Sequence, residues 1–180
     1  MRLFVGLDFP WEVRERLALL CGGVPGARWT PPENFHLTLR FIGEVPPSRA
    51  EEIDAALLAL RGRGFDLVLK GVGTFAKGEQ ENTLWVGVER TPALEALQAK
   101  VETALQRAGC PPERRRFFPH VTLARLRDPA QGKLAAFVQS HNLFRSASIP
   151  IRHFALFSSR LGKEAAVYVP EVEYALDERA

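Results

Sequence analysis

Cysteine and lysine are both scarce in this sequence of 180 residues, which has two cysteines and only five lysines among its 24 basic residues. The isolated thiols of Cys21 and Cys110 provide neither a disulfide framework nor a zinc site. We therefore expect a protein of the reducing cytoplasm. Arginine supplies the formal excess of +3 charges, which permits a phosphate-bearing partner without requiring one.

Long apolar runs are absent as well. No stretch approaches the roughly 20 apolar residues of a membrane-spanning helix. The apolar segment at the N-terminus is interrupted by Asp8 and is too short for a signal peptide. We therefore expect a soluble protein with no membrane partner. A Walker-type phosphate-binding loop is also missing, since KGVGTF at 70–75 lacks the context of one.

The sequence repeats one order of segments. LFVGLD at 3–8 resembles LWVGVE at 84–89, and each is followed by a proline and by apolar residues at helical spacing. A loop, a strand with a histidine, a second helix and further strands come next in both cases. We interpret this order as a duplicated α+β unit, with halves at approximately 1–80 and 81–180 of one domain. A chance similarity of two common β-α-β stretches is the alternative.

Local signals predict further boundaries. Ser48 and Asp128 are the expected N-terminal caps of the second helix in each half. The polar segment AKGEQEN at 76–82 is expected to form an exposed loop.

The two histidine strands share a four-residue phrase, which is HLTL from His36 and HVTL from His120. Side chains alternate between the two faces of a strand. His36 and Thr38 should therefore share a face with Arg40, and His120 should share one with Thr122. If the halves are related by a two-fold axis, the two histidine faces can line one cleft. One histidine can then act as general base and the other as general acid, because both titrate near neutral pH.

This pattern of residues suits a phosphodiester substrate. One histidine would take a proton from the nucleophile while the other protonates the leaving oxygen. The threonine hydroxyls and a nearby arginine would hold the phosphoryl oxygens. A metal site is the chemical alternative, but no Asp, Glu or Cys stands at ligand spacing beside either histidine, so we predict none.

Other polar residues are secondary candidates. The run ERRRFF at 113–118 precedes the second phrase and is either a solvated loop or an RNA-binding segment. Phe117 and Phe118 either stack on a base or pack in the core. We expect His141 at a helix end and His153 on the polar side of a strand. The candidates for contacts with an RNA backbone are Arg114, Arg115 and Arg116.

Four segments resemble the 2H phosphoesterase superfamily, and more closely its RNA 2′,3′-cyclic phosphodiesterases, also called 2′-5′ RNA ligases. They are RLFVGLDFP at the start, HLTLRFIGEV from His36, PHVTLAR at 119–125, and FALFSSRLGKEAAVYVPEVEYAL near the end. The resemblance extends over nearly the whole chain. It implies a bilobal α+β fold in which two pseudo-symmetric lobes of antiparallel sheet and helices surround a central cleft.

The same resemblance implies metal-independent, cofactor-free hydrolysis of RNA 2′,3′-cyclic phosphate ends to 2′-phosphates. Some members also join 2′-5′ linkages reversibly in tRNA halves. His36 and His120 would be catalytic, with His120 as base and His36 as acid by analogy. Thr38 and Thr122 would bind the phosphate together with Arg40 and Arg125, although strict alternation turns Arg125 away from the face of His120.

Two other functions stay open at this point. The protein could be a non-catalytic module that binds RNA ends, or a 2H phosphodiesterase that acts on small cyclic nucleotide phosphates. Assays for turnover and for the preferred substrate size separate these functions. No oligomerisation signal is present in the sequence, so we expect a monomer.

Overall fold

The computed structural model describes residues 1–178, which form ten strands and four helices. In chain order these are β1 (Arg2–Leu7), α1 (Trp11–Leu20), β2 (Ala27–Trp29), a 3-10 turn (Pro32–Asn34), β3 (Leu37–Glu44), α2 (Pro47–Leu58), β4 (Phe65–Leu67), β5 (Leu69–Lys77), β6 (Gln80–Val88), α3 (Pro92–Arg107), β7 (His120–Leu126), α4 (Gln131–His141), β8 (Ile149–Ile151), β9 (His153–Arg160) and β10 (Val167–Ala175). No helix in this part of the chain combines the length and apolarity needed to cross a bilayer.

Antiparallel pairing builds two four-stranded sheets and one short strand pair. The first sheet has the order β10-β9-β1-β3, the second has the order β2-β7-β6-β5, and β4 pairs with β8. In the first sheet, β9 and β10 join strands from the beginning of the chain. In the second, β2 and β5 flank β6 and β7. The predicted α+β class and two-lobed architecture are confirmed, but each lobe is built from both halves of the chain.

Helix α3 shows how sequence sets helix ends. Thr91 caps the helix by accepting a hydrogen bond from the Leu94 N–H at 3.2 Å, and Pro92 begins it, where the missing N–H costs nothing. At the other end Gly109 adopts a φ of 92°, which glycine tolerates without strain. The predicted apolar stripe is buried at Leu94, Leu97, Val101 and Leu105.

Three of the predicted boundaries are wrong. α2 begins at Pro47, whose fixed φ suits the first helical position, so Ser48 lies inside the first turn. α4 begins at Gln131, and Asp128 lies in a turn before it with a φ of 45°. Segment 76–82 is mostly strand, because β5 and β6 continue into a tight hairpin that turns at Gly78 with a φ of 66°.

Each four-stranded sheet turns one face to a continuous apolar core. On strands, the core includes Leu3, Val5, Leu7, Leu37, Leu84, Val86, Val121 and Leu123, and on helices it includes Leu17, Ile53, Leu57, Leu97 and Val101. Residues that alternate with these point to the opposite face, where Phe4 of β1 stacks near His36 and Gly87 of β6 pairs with His120. We call the two sides of each sheet the core face and the histidine face. β3 and β7 contact each other, which brings the two histidine strands together.

Candidate active site

A β-bulge interrupts β3 three residues after its histidine. Consecutive residues of β1 pair with Arg40 and Thr38, so Leu39 between them has no counterpart. A bulge shifts the alternation of faces by one residue, which turns Arg40 to the core face and Phe41 to the histidine face. The prediction that Arg40 shares a face with His36 is therefore wrong.

Arg40 instead joins β3 to α3 and to the segment that follows α3. Its side chain is only 7% exposed, and its Nε donates to the Glu102 carboxylate at 2.5 Å. One terminal nitrogen donates to the Phe41 carbonyl at 2.6 Å and the other donates to the Pro111 carbonyl. All three guanidinium nitrogens are thus engaged inside the protein, and Arg40 has a structural role.

Replacing Arg40 by alanine is expected to lower the free energy of unfolding by about 2–4 kcal/mol at pH 7, because it removes a buried guanidinium and leaves the half-buried Glu102 carboxylate without its cation. Burial opposes the ionisation of Glu102, but hydrogen bonds from Arg40, the Glu113 N–H and Gln106 prevail, and its pKa is lowered from 4.5 to about 2. A depressed folded-state pKa stabilises the protein above pH 4.5, and this stabilisation is lost as the pH falls towards 2. Urea unfolding should therefore show a smaller loss of free energy of unfolding at pH 3 than at pH 7 when Arg40→Ala is compared with the unmodified protein.

The matched control is Arg49→Ala, which removes an exposed ion pair with Glu52 and should cost about 0.5 kcal/mol or less. The folded Arg40→Ala protein should keep the turnover of the unmodified protein within about threefold. A folded Arg40→Ala protein that has lost turnover would instead show that Arg40 takes part in binding or catalysis.

The same bulge occurs at the equivalent place in β7. Consecutive residues of β6 pair with Ala124 and Thr122, so Leu123 has no counterpart. The bulge returns Arg125 to the histidine face, to which strict alternation would not bring it. Burial follows the same order in both strands: Val121 and Leu123 are buried, Thr122 is half-buried, Ala124 is buried and Arg125 is exposed.

Both histidines are held in one tautomer by a carbonyl two residues earlier. His36 Nδ1 lies 2.7 Å from the Asn34 carbonyl oxygen, and His120 Nδ1 lies 2.7 Å from that of Phe118. A carbonyl only accepts, so Nδ1 bears the proton of each neutral ring and Nε2 is the acceptor. His36 Nε2 lies 3.0 Å from the Thr38 hydroxyl, which can donate to it. In each neutral histidine Nε2 is thus the nitrogen that can accept a proton.

Aromatic rings surround His36. The ring centroids of Phe4, Tyr168 and Phe157 lie 4.7, 5.0 and 6.2 Å from that of His36. This burial lowers the pKa of His36 to about 4, against the hydrogen bond to the Asn34 carbonyl, which favours the imidazolium.

Positive charge adds to the effect of burial on both histidines. The charges of His120, Arg125 and Arg14 lower the pKa of His36 further. Burial also lowers the pKa of His120, as does the charge of Arg125, whereas the hydrogen bond to the Phe118 carbonyl opposes the shift. The Phe75 ring lies 4.8 Å from that of His120. β3 and β7 contact each other, and Arg125 lies on the histidine face of β7. We therefore take the two histidines and this arginine together as the candidate site.

Two polar atoms at His120 and its neighbour Thr122 have no hydrogen-bond partner among the described residues. Among the hydrogen bonds of residues 1–178, none involves the Thr122 hydroxyl or His120 Nε2; Thr122 accepts one only through its carbonyl, from the Thr30 hydroxyl at 3.0 Å. Arg125 donates to the Thr83 hydroxyl at 3.2 Å. These groups therefore have hydrogen-bonding capacity to offer a bound anion.

Of the remaining predicted residues, Phe118 lies beside His120, with the two ring centroids 6.3 Å apart. Phe118 is 46% exposed, its ring packs 5.3 Å from that of Phe75, and the Arg90 guanidinium lies 5.7 Å from it. Arg115 and Arg116 are exposed on the segment before β7.

The other two histidines lie outside the site, near the places predicted for them. His141 ends α4, with its ring 4.4 Å from Phe137. His153 begins β9 and hydrogen-bonds the Asp8 carboxylate at 3.0 Å, with Glu173 at 3.9 Å. Among the described residues, this trio is the one group of three ligand atoms close enough to hold a metal ion, and it includes neither His36 nor His120.

Sequence reasoning overlooked three residues near the histidines. Phe41, which alternation assigned to the core, is 57% exposed. Arg28 pairs with Arg125 across β2 and β7. Asn34, which holds His36 through its carbonyl, is buried and donates through its side chain to the Ala166 carbonyl at 2.7 Å. The place of Asn34 two residues before His36 was an available signal, whereas the positions of Phe41 and Arg28 depend on strand pairing.

Comparison with known proteins agrees with this geometry. The model of the LigT like Phosphoesterase family matches the chain twice, over residues 7–85 and 86–168. An RNA 2′,3′-cyclic phosphodiesterase of Aeropyrum pernix is 35% identical over 151 residues, which cover 81% of this chain and 84% of the relative. One from Thermotoga maritima is 31% identical over 93% of this chain and 91% of the relative.

Solved structures of phosphoesterases also match this chain over nearly its full length. The crystal structure of Escherichia coli LigT complexed with 3′-AMP matches with a TM-score of 0.78 and 27% identity over 97% of both chains. A crystal structure described as a phosphoesterase matches with a TM-score of 0.79 and 25% identity, also over 97% of both. By sequence and by fold, this chain belongs to the LigT-like phosphoesterase family.

Proposed function

We propose that this protein hydrolyses the 2′,3′-cyclic phosphate at the end of an RNA strand to a 2′-phosphate, without a metal ion. The observation that supports this most is the pair of Nε2 atoms on His36 and His120, which share a site with the Arg125 guanidinium. Several relatives at 26–35% identity are named RNA 2′,3′-cyclic phosphodiesterases.

The reaction needs one proton acceptor and one proton donor on opposite sides of the phosphorus. One Nε2 takes a proton from water as its oxygen forms the new bond to phosphorus. The bond from phosphorus to O3′ breaks, and the other Nε2 gives its proton to O3′. The product has a 2′-phosphate and a free 3′-hydroxyl. Thr122 donates to a non-bridging oxygen, and Thr38 does so once its hydroxyl turns from His36 Nε2 to the substrate. Arg125 stabilises the charge that develops on these oxygens.

The surroundings of the two rings favour different roles for them. Only one proton is shared by the pair in the reactive form, and the more strongly lowered pKa of His36 places that proton on His120. We infer that His36 is the base and His120 the acid in hydrolysis, which reverses the assignment by analogy. Joining of 2′-5′ ends would use the same groups in reverse, with a 2′-hydroxyl as nucleophile.

We also propose that RNA extends along the edge of the site as a single strand, with the protein acting as a monomer. Phe118 presents an exposed ring beside His120 on which a base can stack, and Arg115 and Arg116 can contact phosphates. Ends of tRNA fragments would suit such a surface.

We infer that the two halves of the chain arose by duplication. The family model matches each half separately, and both histidine strands have a bulge at the same position of the phrase. The single apolar core that contacts both sheets supports our proposal that the two halves form one domain.

The test is an assay with a 2′,3′-cyclic nucleotide and with a short RNA that ends in a 2′,3′-cyclic phosphate, both in excess EDTA. The expected product is the 2′-phosphate, at the same rate with and without the chelator. Loss of turnover in EDTA would contradict the metal-free mechanism. Binding without any product would indicate a non-catalytic module, and turnover of the mononucleotide alone would indicate a small-molecule phosphodiesterase.

The pH dependence of kcat/KM is expected to be bell-shaped, with its maximum between about pH 4 and 6.5. Both histidines have a lowered pKa in the free protein, so the form with one shared proton is most abundant below pH 6.5. Bound phosphate stabilises the imidazolium and raises each pKa, so the maximum of kcat should lie at higher pH than that of kcat/KM. Initial rates from pH 4 to 9 measure both, and a kcat/KM maximum above pH 7 would contradict the lowered pKa values.

A further inference from the structure

Two arginines lie side by side on the histidine face of the second sheet. Arg28 of β2 is the direct cross-strand partner of Arg125 of β7. Their neighbours Trp29 and Ala124 form the next pair, and they point to the core face, where the Trp29 ring lies 5.7 Å from that of Phe137. Since faces alternate along both strands, Arg28 and Arg125 point together to the side of the histidines.

This pair has no compensating negative charge. No ion pair among residues 1–178 includes Arg28 or Arg125, and both side chains are exposed. Like charges directly opposite each other on a sheet are destabilising, and both guanidinium groups bond to neutral oxygens instead. Arg125 donates to the Thr83 hydroxyl, and Arg28 donates to the Glu164 carbonyl. An anion bound between them would remove the repulsion.

The connection between β9 and β10 holds Arg28 in place. Residues 161–166 connect two strands of the first sheet, yet the Glu164 carbonyl accepts a hydrogen bond from Arg28 of the second sheet. The same connection accepts from Asn34 through the Ala166 carbonyl. Arg28 is therefore oriented from the opposite lobe, which limits the entropy lost when its guanidinium binds a ligand.

We propose that Arg28 and Arg125 form a second anion subsite, which binds the phosphodiester on the 5′ side of the terminal nucleotide of an RNA substrate. This rests on the proposed function, since it places the cyclic phosphate at the histidines. Arg125 reaches that phosphate, and Arg28 lies one strand further away, at a spacing of about 4.8 Å. A guanidinium binds phosphate oxygens through two parallel N–H donors. A 2′,3′-cyclic mononucleotide has no second phosphate, so the subsite selects oligonucleotides.

The test compares a 2′,3′-cyclic mononucleotide with a trinucleotide that ends in a 2′,3′-cyclic phosphate. Arg28→Ala is expected to raise KM for the trinucleotide about tenfold and to leave kcat/KM for the mononucleotide within about twofold. For the Arg28→Ala variant, the slope of log affinity for the trinucleotide against log salt concentration should be shallower by about 0.7. This is the change expected when one contact to a single-stranded phosphate is lost. Arg28→Lys should recover part of the loss. Arg107→Ala, which removes an exposed charge at the end of α3, should leave KM and kcat/KM unchanged for both substrates.

Equal losses on both substrates, or no loss on either, would overturn the subsite. If the unmodified protein hydrolyses neither substrate, the proposed function fails. Fluorescence anisotropy with a labelled trinucleotide 2′-phosphate then still decides the subsite. Arg28→Ala should weaken that binding about tenfold relative to the unmodified protein, and unchanged affinity would overturn the inference.

Discussion

Replacing His120 by alanine is expected to lower kcat for a 2′,3′-cyclic substrate by about 10²–10⁴-fold, because general acid–base catalysis contributes a factor of that size. His36→Ala should cause a loss in the same range. The double variant should be little worse than the poorer single variant, since two groups that act in one proton-transfer sequence are not additive. Single-turnover rates at the pH optimum of each variant measure these losses.

His141→Ala is the matched control, because it removes a histidine that contacts Phe137 and lies outside the site. It should keep turnover within about twofold. Thermal unfolding of all variants shows whether a loss of activity reflects a loss of fold. A folded His120→Ala or His36→Ala protein with undiminished turnover would remove that residue from the chemistry.

The roles of the two histidines can be separated with a cyclic substrate in which sulfur replaces the bridging 3′ oxygen. A thiolate leaves without needing a proton, so the variant that lacks the acid should recover most of its rate on this substrate. The variant that lacks the base should not recover. We expect recovery for His120→Ala, and recovery for His36→Ala instead would support the roles implied by analogy.

Arg125→Ala is expected to lower kcat by about 10²–10³-fold, the usual loss when one preorganised donor to a developing oxyanion is removed. Arg125→Lys should recover only part of this rate, because an ammonium group cannot reproduce the two parallel donors of a guanidinium. Arg107→Ala again serves as control for the change in net charge. Turnover of the mononucleotide measures the effect without any contribution from Arg28.

The pH profile distinguishes this role from a structural one. The charge of Arg125 lowers the pKa of both His36 and His120, so its removal should raise both and move the kcat/KM maximum to higher pH. A structural defect would lower the rate without that shift. A folded Arg125→Ala protein with an unmoved profile and near-normal kcat would exclude Arg125 from the site.

The bulges explain why the arginines were difficult to assign from sequence. Simple alternation puts Arg40 beside His36 and turns Arg125 away from His120, and the structure reverses both. The reason in each strand is a single extra residue, Leu39 or Leu123, which shifts every later side chain to the other face. Both are leucines that are buried with or without a bulge, so the hydrophobic pattern gives no sign of it.

Strand pairing could not be predicted from the sequence for a related reason. The order of strands and helices along the chain follows from apolar periodicity and from proline and glycine positions, which are local. Which sheet a strand joins depends on contacts between distant residues. β9 pairs with β1 at the other end of the chain, and β2 pairs with β7, which brings Arg28 to Arg125. No local sequence pattern around Arg28 indicates that it pairs with Arg125.

The sequence by itself determined the α+β class, the family resemblance, and the two phrases with His36, Thr38, His120 and Thr122 as candidates. These depend on residue identity and short-range spacing. Only the tertiary structure decided which arginine shares a face with a histidine, which ring is more deeply enclosed, and which residues of other strands lie next to that arginine. Those properties depend on register and burial, which arise when distant strands pair and aromatic side chains close around one histidine more than the other.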